Sequence, residues 1–197
     1  MVFSMPASAN NNGSQSYLAG WLLVMAMLML PSQTVEAVGI EVRNVSTVQV
    51  RGQVILHARL DFELSEEALK ALEHGIAIDL VIDMGAVRKR RWLWDKNIVD
   101  HSERYRLERQ ALSKHYVVVH DYRRQSFLSL QEALEYIGNI RDYPLLKTSQ
   151  LESGQRYQGR LRAWLDIESL PAPMRPTAHI SSHWHIASGW REWPIEP

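Results

Sequence analysis

Apolar and polar residues alternate with a period of two over much of this chain, most regularly in residues 54–64. There every even-numbered position is apolar, whereas the odd-numbered positions are polar except Ile55. Successive side chains of a strand point to opposite faces, so the alternation predicts a strand with one buried and one solvated face. Similar patterns at 76–84 and 157–167 and shorter runs at 105–107 and 116–119 predict further strands.

Two short segments carry helix signals instead. Ser65 offers an N-cap oxygen, Glu66 and Glu67 follow at the positive end of the helix dipole, and Gly75 predicts the end. Residues 129–132, Ser-Leu-Gln-Glu, form a capping-box sequence that predicts a second helix ending near residue 138. We therefore expect two short helices inserted between strands.

The expected fold is mainly β, an antiparallel β-sandwich of about seven strands, with an immunoglobulin-like architecture as one option. Repeated one-sided alternation favours antiparallel sheets over a parallel α/β sheet, whose strands are apolar on both faces. The proline-rich segment 170–176 predicts a stiff extended connector, and residues 179–193 predict a closing strand. Residues 38–197 are expected to form a single domain.

The N-terminal segment has the composition of an export signal. No Lys, Arg, Asp or Glu occurs in residues 1–35, and an apolar run over 18–30 ends at Pro31. Val35 and Ala37 place small or apolar side chains before a cleavage point after residue 37. Residues 1–37 are therefore interpreted as a signal peptide, with an uncleaved inner-membrane anchor as the alternative. Both predict a periplasmic domain, and cleavage would leave no stable membrane span.

Composition excludes several classes of site. The chain has no Cys, which excludes iron–sulfur clusters, thiol chemistry, cysteine zinc sites and lipoprotein acylation. Lys plus Arg number 22 and Asp plus Glu number 22, so the balance implies no polyanion partner and, with export, no nucleic acid.

The C-terminal segment HISSHWHIASGWREW is the first candidate site. On an unbroken strand, His179, His183 and His185 would share one face, close enough for a shared metal ion. The segment supplies no carboxylate beside them, and we favour solvent-facing histidines over a metal-binding protein or metal-dependent hydrolase. The opposite, buried face would then carry Ile180, Trp184, Ile186 and Trp190.

The basic and aromatic run over residues 88–94 is the second candidate. As a strand it would align four side chains on one face: Arg88, Arg90, Trp92 and Trp94. We interpret them as an interaction surface or as a ladder of guanidinium groups stacked on indoles. In this hypothesis Trp190 and Trp193 stack near Arg90 or Arg106.

Paired carboxylates are the third candidate. Asp79 and Asp83 share a strand face, as do Asp166 and Glu168, in the manner of glycosidase acids. Charged residues on the wet face of a sheet are far more common than catalytic ones. No nucleophile elbow, zinc-protease helix or phosphate loop is present in the sequence, so we assign no catalytic residue.

Four segments together resemble a known family. They are RKRRWLWD (88–95), SLQEALEYIGNIRDYPLL (129–146), YQGRLRAWLDIESLPAPMRP (157–176) and HWHIASGWREW (183–193). As a set they resemble the DUF4390 family of exported proteobacterial proteins of unknown function. The resemblance implies an envelope protein with no assigned catalytic residues, and by association a partner such as a membrane sensor kinase.

The resulting expectation is a non-enzymatic periplasmic interaction or sensing module without a cofactor. Metal binding through the C-terminal histidines and a structural role in the envelope stay open as alternatives.

Overall fold

The computed structural model describes residues 39–90 and 94–196, which form nine strands and three α-helices. The strands are β1 (Gly39–Val50), β2 (Gln53–Glu63), β3 (Ile78–Arg88), β4 (Lys96–Arg109), β5 (Tyr116–His120), β6 (Arg123–Phe127), β7 (Asn139–Lys147), β8 (Tyr157–Leu165) and β9 (Arg191–Ile195). The helices are α1 (Glu66–Glu73), α2 (Leu130–Gly138) and α3 (Arg175–Ile180).

The strands make two sheets in which every neighbouring pair is antiparallel. One sheet has the order β1-β2-β7, and the other has the order β6-β5-β4-β3-β8-β9. This arrangement confirms the mainly β, antiparallel sandwich, with nine strands in the described residues rather than about seven.

The alternating positions of β2 and β3 supply the centre of the core. Leu56 and Leu60 from the small sheet, and Leu80 and Ile82 from the large one, are almost fully buried and belong to one apolar cluster. Each fully buried side chain of this size stabilises the fold by about 1.5–3 kcal/mol. Because these apolar positions face inward, the polar residues that alternate with them lie on the opposite face of the large sheet.

Both predicted helices form, and each begins with the predicted serine N-cap. The Ser65 hydroxyl accepts a hydrogen bond from the Ala68 amide at 3.2 Å, and the Ser129 hydroxyl accepts one from Glu132 at 3.2 Å. The Glu132 carboxylate accepts a hydrogen bond from the Leu128 amide at 3.1 Å, one residue before the Ser129 amide that the capping-box sequence predicts as its donor. These bonds satisfy amide groups that a helix N-terminus leaves unpaired.

The predicted closing strand over 179–193 is wrong in its first part. Residues 175–180 form α3, residues 182–184 form a single 3₁₀ turn, and only Arg191–Ile195 is a strand. Pro176 lies in the first turn of α3, where its missing amide hydrogen costs no helical hydrogen bond. The connector therefore turns into a helix instead of remaining extended.

Of the four residues of this segment that were predicted to be buried, two are buried and two are exposed. Trp184 and Ile186 are buried, whereas Ile180 is 88% exposed at the end of α3 and Trp190 is 44% exposed. Strand parity fails here because residues 175–180 and 182–184 are helical.

The predicted signal peptide and Trp92 lie outside the described residues. Among the described helices, none combines the length and apolarity needed to cross a bilayer.

Candidate functional site

The outward side of the six-stranded sheet carries a layer of paired charges and indoles, which we call the Arg–Trp face. Its members lie on β3, β4 and β8 and on the segments after β8: Asp79, Asp83, Asp100, Arg104, Arg106, Arg160, Arg162, Trp164, Asp166 and Trp190. Antiparallel registry sets Asp79 opposite Arg106 and Asp83 opposite Arg162. Cross-strand neighbours of opposite charge are the pairs that stabilise a sheet face.

Asp79 forms the first ion-pair group. Its oxygens lie 2.9 Å from Arg106 Nε and 3.2 Å from an Arg104 Nη, and its side chain is only 4% exposed. Arg104 also pairs with Asp166, and the hydrogen bond between them raises the pKa of Arg104. The hydrogen bond to Asp79 likewise raises the pKa of Arg106. Two guanidinium groups thus neutralise one buried carboxylate.

Asp83 forms the second group. It accepts hydrogen bonds from Arg162 Nε at 2.9 Å, from the Trp164 indole at 3.0 Å and from the Ser102 hydroxyl at 2.7 Å. Three donors from β4 and β8 converge on a carboxylate of β3, so the outward side chains of three strands are held in one arrangement.

Asp100 and Arg160 form the third group, whose charged atoms are 3.0 Å apart across Gly85. A Cβ at Gly85 would lie 2.7 Å from an Asp100 oxygen, so this glycine makes room for the pair. Partial burial disfavours ionisation of Asp100, but hydrogen bonds from Asn97 and Arg160 outweigh it and lower its pKa.

Trp190 lies on top of this layer. Its ring centroid is 4.5 Å from Arg162 Cζ and 5.0 Å from Arg160 Cζ, within the range of cation–π contacts. A recess of about 390 Å³ opens beside the indole and is lined by Asp83, Asp100, His101, Ser102, Arg160 and Arg162. The indole is thus fixed by two cations yet open to solvent on the recess side.

The chemistry of the Arg–Trp face favours recognition over catalysis. Asp79 and Asp83 are each held by guanidinium donors and do not lie free as a general base or nucleophile. The arginines keep much of their surface, since the side chains of Arg104 and Arg162 are 50% and 41% exposed. Tryptophan and arginine are the residues most enriched among interface hot spots.

Among the described residues of the run 88–94, no guanidinium group stacks on an indole, and Trp92 lies outside them. Arg88 pairs with Glu152 at 2.7 Å, the Arg90 amide contacts Asp95, and Trp94 is 93% exposed. Among the described residues, the cation–π partners of Trp190 are Arg160 and Arg162 rather than Arg90 or Arg106. The guanidinium groups that Trp190 contacts lie at the outward positions 160 and 162 of β8, and Trp190 lies in the segment between β8 and β9.

Trp193 has a different place from the one expected. It is 9% exposed and packs its ring over Gly159 on the inner side of β8. It is therefore a core residue of the β8–β9 pair.

Each of the three C-terminal histidines has a different contact partner. His179 pairs with Glu168 at 2.8 Å, His183 pairs with Glu67 at 2.8 Å, and His185 Nδ1 contacts the Ser181 carbonyl. The shared strand face that would have aligned them is absent because α3 and the 3₁₀ turn replace it. The strand geometry from which the shared metal site was predicted is therefore absent, and the metal-ligand cluster found among the described residues does not include these histidines.

Sequence reasoning missed Arg160, Arg162 and Asp100 as site residues. The sequence did contain a signal for this face. Arg160 and Arg162 alternate with apolar residues in one segment, and the oppositely charged Asp79 and Asp83 alternate with apolar residues in another. Complementary alternation predicts a paired face, but it does not tell which strands are neighbours.

Comparison with curated proteins and with solved structures finds no significant match. A family model described as "Domain of unknown function (DUF4390)" matches residues 37–194, which span the nine strands almost completely. The chain therefore belongs to the DUF4390 family.

Proposed function

We propose that this protein is an exported, non-enzymatic interaction module that binds another protein of the bacterial envelope through the Arg–Trp face. The observation that carries the proposal is Trp190, a solvent-exposed indole in cation–π contact with both Arg160 and Arg162. An interaction site needs such a large anchor at its centre, surrounded by groups that are already ordered.

Preorganisation supports this role. Each arginine of the face has a carboxylate partner within the same layer, so its side chain is ordered before any partner arrives. Binding then loses less side-chain entropy, which otherwise costs about 0.5–1.5 kcal/mol for each immobilised side chain.

Charge balance indicates the class of partner. The face contains four arginines (Arg104, Arg106, Arg160 and Arg162) and four aspartates (Asp79, Asp83, Asp100 and Asp166). A surface with paired charges lacks the excess of cations that phosphate backbones or anionic lipids require. It suits a protein surface that offers carbonyl and carboxylate acceptors to the half-exposed guanidinium groups and an apolar side chain to the recess beside Trp190. The outer portion of a membrane sensor kinase is the partner suggested by the family resemblance.

Site-specific photo-crosslinking tests the proposal. A photoreactive amino acid replaces the exposed Ser102 at the recess, or the control residue Val48, which is 45% exposed on β1 of the other sheet. In living cells of the source bacterium, we expect one discrete crosslinked envelope protein from position 102 and none from position 48.

Specificity is checked by adding Trp190→Ala to the chain labelled at 102, which should abolish the product. A product that persists without the indole, arises equally from position 48, or contains only a second copy of this chain would contradict the proposal.

A further inference from the structure

A second cluster of polar side chains lies near the end of β5, on the opposite face of the large sheet. Glu103 shares its side of β4 with the buried Leu107, and His120 shares its side of β5 with the buried Val118. Asp121 follows His120 in the turn to β6. One ligand atom from each of Glu103, His120 and Asp121 lies within 4.8 Å of the other two.

The turn positions the third residue. Asp121 and Tyr122 have φ angles of 46° and 61°, and they are the two residues between the paired positions His120 and Arg123. Positive φ at both central residues is the requirement of a type I′ hairpin turn, which Asp tolerates at its first position. The turn holds the Asp121 carboxylate beside the imidazole.

The two nitrogens of His120 have different surroundings. Nδ1 lies 3.1 Å from the Arg104 carbonyl oxygen, and because a carbonyl only accepts, Nδ1 carries the hydrogen. Nε2 lies 3.5 Å from a Glu103 oxygen and 3.6 Å from an Asp121 oxygen. A charge-assisted N–H···O bond would measure about 2.7–2.9 Å, so neither carboxylate is in hydrogen-bonding contact with Nε2.

These separations fit a shared cation instead. Ligands about 2.0–2.2 Å from a tetrahedral zinc ion lie about 3.3–3.6 Å from one another. We propose that Glu103, His120 and Asp121 bind a divalent transition-metal cation of the zinc class, with water as the fourth ligand. Imidazole nitrogen selects against Ca²⁺ and Mg²⁺, which take oxygen ligands.

Neighbouring side chains already have the arrangement that supports metal ligands. The Tyr143 hydroxyl of β7 donates a hydrogen bond to Glu103 at 2.7 Å, and the Tyr105 ring stacks on the imidazole with centroids 4.1 Å apart. A backbone carbonyl on the distal imidazole nitrogen is also usual for a metal-binding histidine, since it fixes the tautomer. Ligand orientation is therefore established before the cation binds.

Zinc titration of the purified full chain, with zinc chloride as the only ligand, tests the site. We expect one zinc per chain and a zinc-dependent rise in melting temperature. His120→Gln should weaken zinc binding by at least about 100-fold, and Tyr143→Phe, which removes a supporting hydrogen bond, by about 10-fold. A large excess of Ca²⁺ should not displace the zinc.

Matched variants separate this site from other surface histidines and from loss of folding. Asp121→Asn should also weaken zinc binding, and Asn fits a type I′ turn, so its melting temperature without zinc should match that of the unaltered chain. His179→Gln and His183→Gln should bind zinc normally. Absence of stoichiometric zinc binding, or binding that survives His120→Gln and Asp121→Asn, would overturn the proposal, as would binding lost in the His179 or His183 variants.

Discussion

At the scale of single residues, burial distinguishes the ion pairs that stabilise this fold from those that contribute little to its stability. Asp79 has a 4% exposed side chain and two guanidinium partners. Asp61, in contrast, is 46% exposed and pairs with a similarly exposed Arg43. A buried carboxylate depends on its partners because it has lost its water, whereas an exposed pair competes with water throughout.

Asp79→Ala should therefore lower the free energy of unfolding by about 2 kcal/mol, below the usual cost for a fully buried pair because Arg104 and Arg106 are half exposed. The matched variant Asp61→Ala should cost less than about 1 kcal/mol. Urea denaturation of both variants measures the difference. Equal costs would show that burial of Asp79 does not govern the strength of its pairs.

Sequence alone predicted which side chains of a strand share a face, but not which side chains of other strands they contact. The alternation correctly placed Asp79 and Asp83 on one side of β3, yet the partner of Asp83 is Arg162, 79 residues further along the chain. Strand order is set by the packing of the whole sheet. The alternating charges of β3 and of β8 therefore could not identify each other as neighbouring strands.

At the scale of elements, the strands that the alternation revealed are those with one apolar face, such as β2, β3 and β8. The edge strand β6 cannot be predicted from alternation, since four of its five residues are exposed and no apolar face is visible in the sequence. The turn between β5 and β6 also has no glycine to mark it in the sequence. Asp121 and Tyr122 adopt its positive φ angles instead. Hydrogen bonding to β5, rather than side-chain burial, defines this strand.

The β8–β9 pair shows how a single position can determine an element's packing. Gly159 lies opposite Trp193, and a Cβ at Gly159 would fall inside contact distance of the indole ring. Trp193 can cover the inner side of β8 only because residue 159 has no side chain. Such a close approach is one of the few reasons for glycine inside a strand.

Gly159→Ala should accordingly lower the free energy of unfolding by about 1–3 kcal/mol through overpacking against Trp193. The same substitution in a Trp193→Ala background should be nearly neutral, since the indole that obstructs the new methyl group is gone. A double-mutant cycle by chemical denaturation measures this coupling. An equal cost in both backgrounds would contradict the proposed packing.

At the scale of the whole molecule, the two faces of the large sheet differ in kind. The inner face closes on the small sheet with apolar residues and, at its margin, carries Glu103 and His120. The outer face is polar and is organised by cross-strand ion pairs around Trp190. We propose that the outer face binds a protein partner.

The most direct test is the affinity of the crosslinked partner, once purified, for two tryptophan variants. Trp190→Ala should weaken binding by about 30-fold or more, the effect of losing a hot spot of about 2 kcal/mol. Trp94→Ala, which removes an indole that is 93% exposed and belongs to the candidate run 88–94, should leave the affinity unchanged. Unchanged affinity with Trp190→Ala, or an equal loss with Trp94→Ala, would contradict the proposed binding role of Trp190.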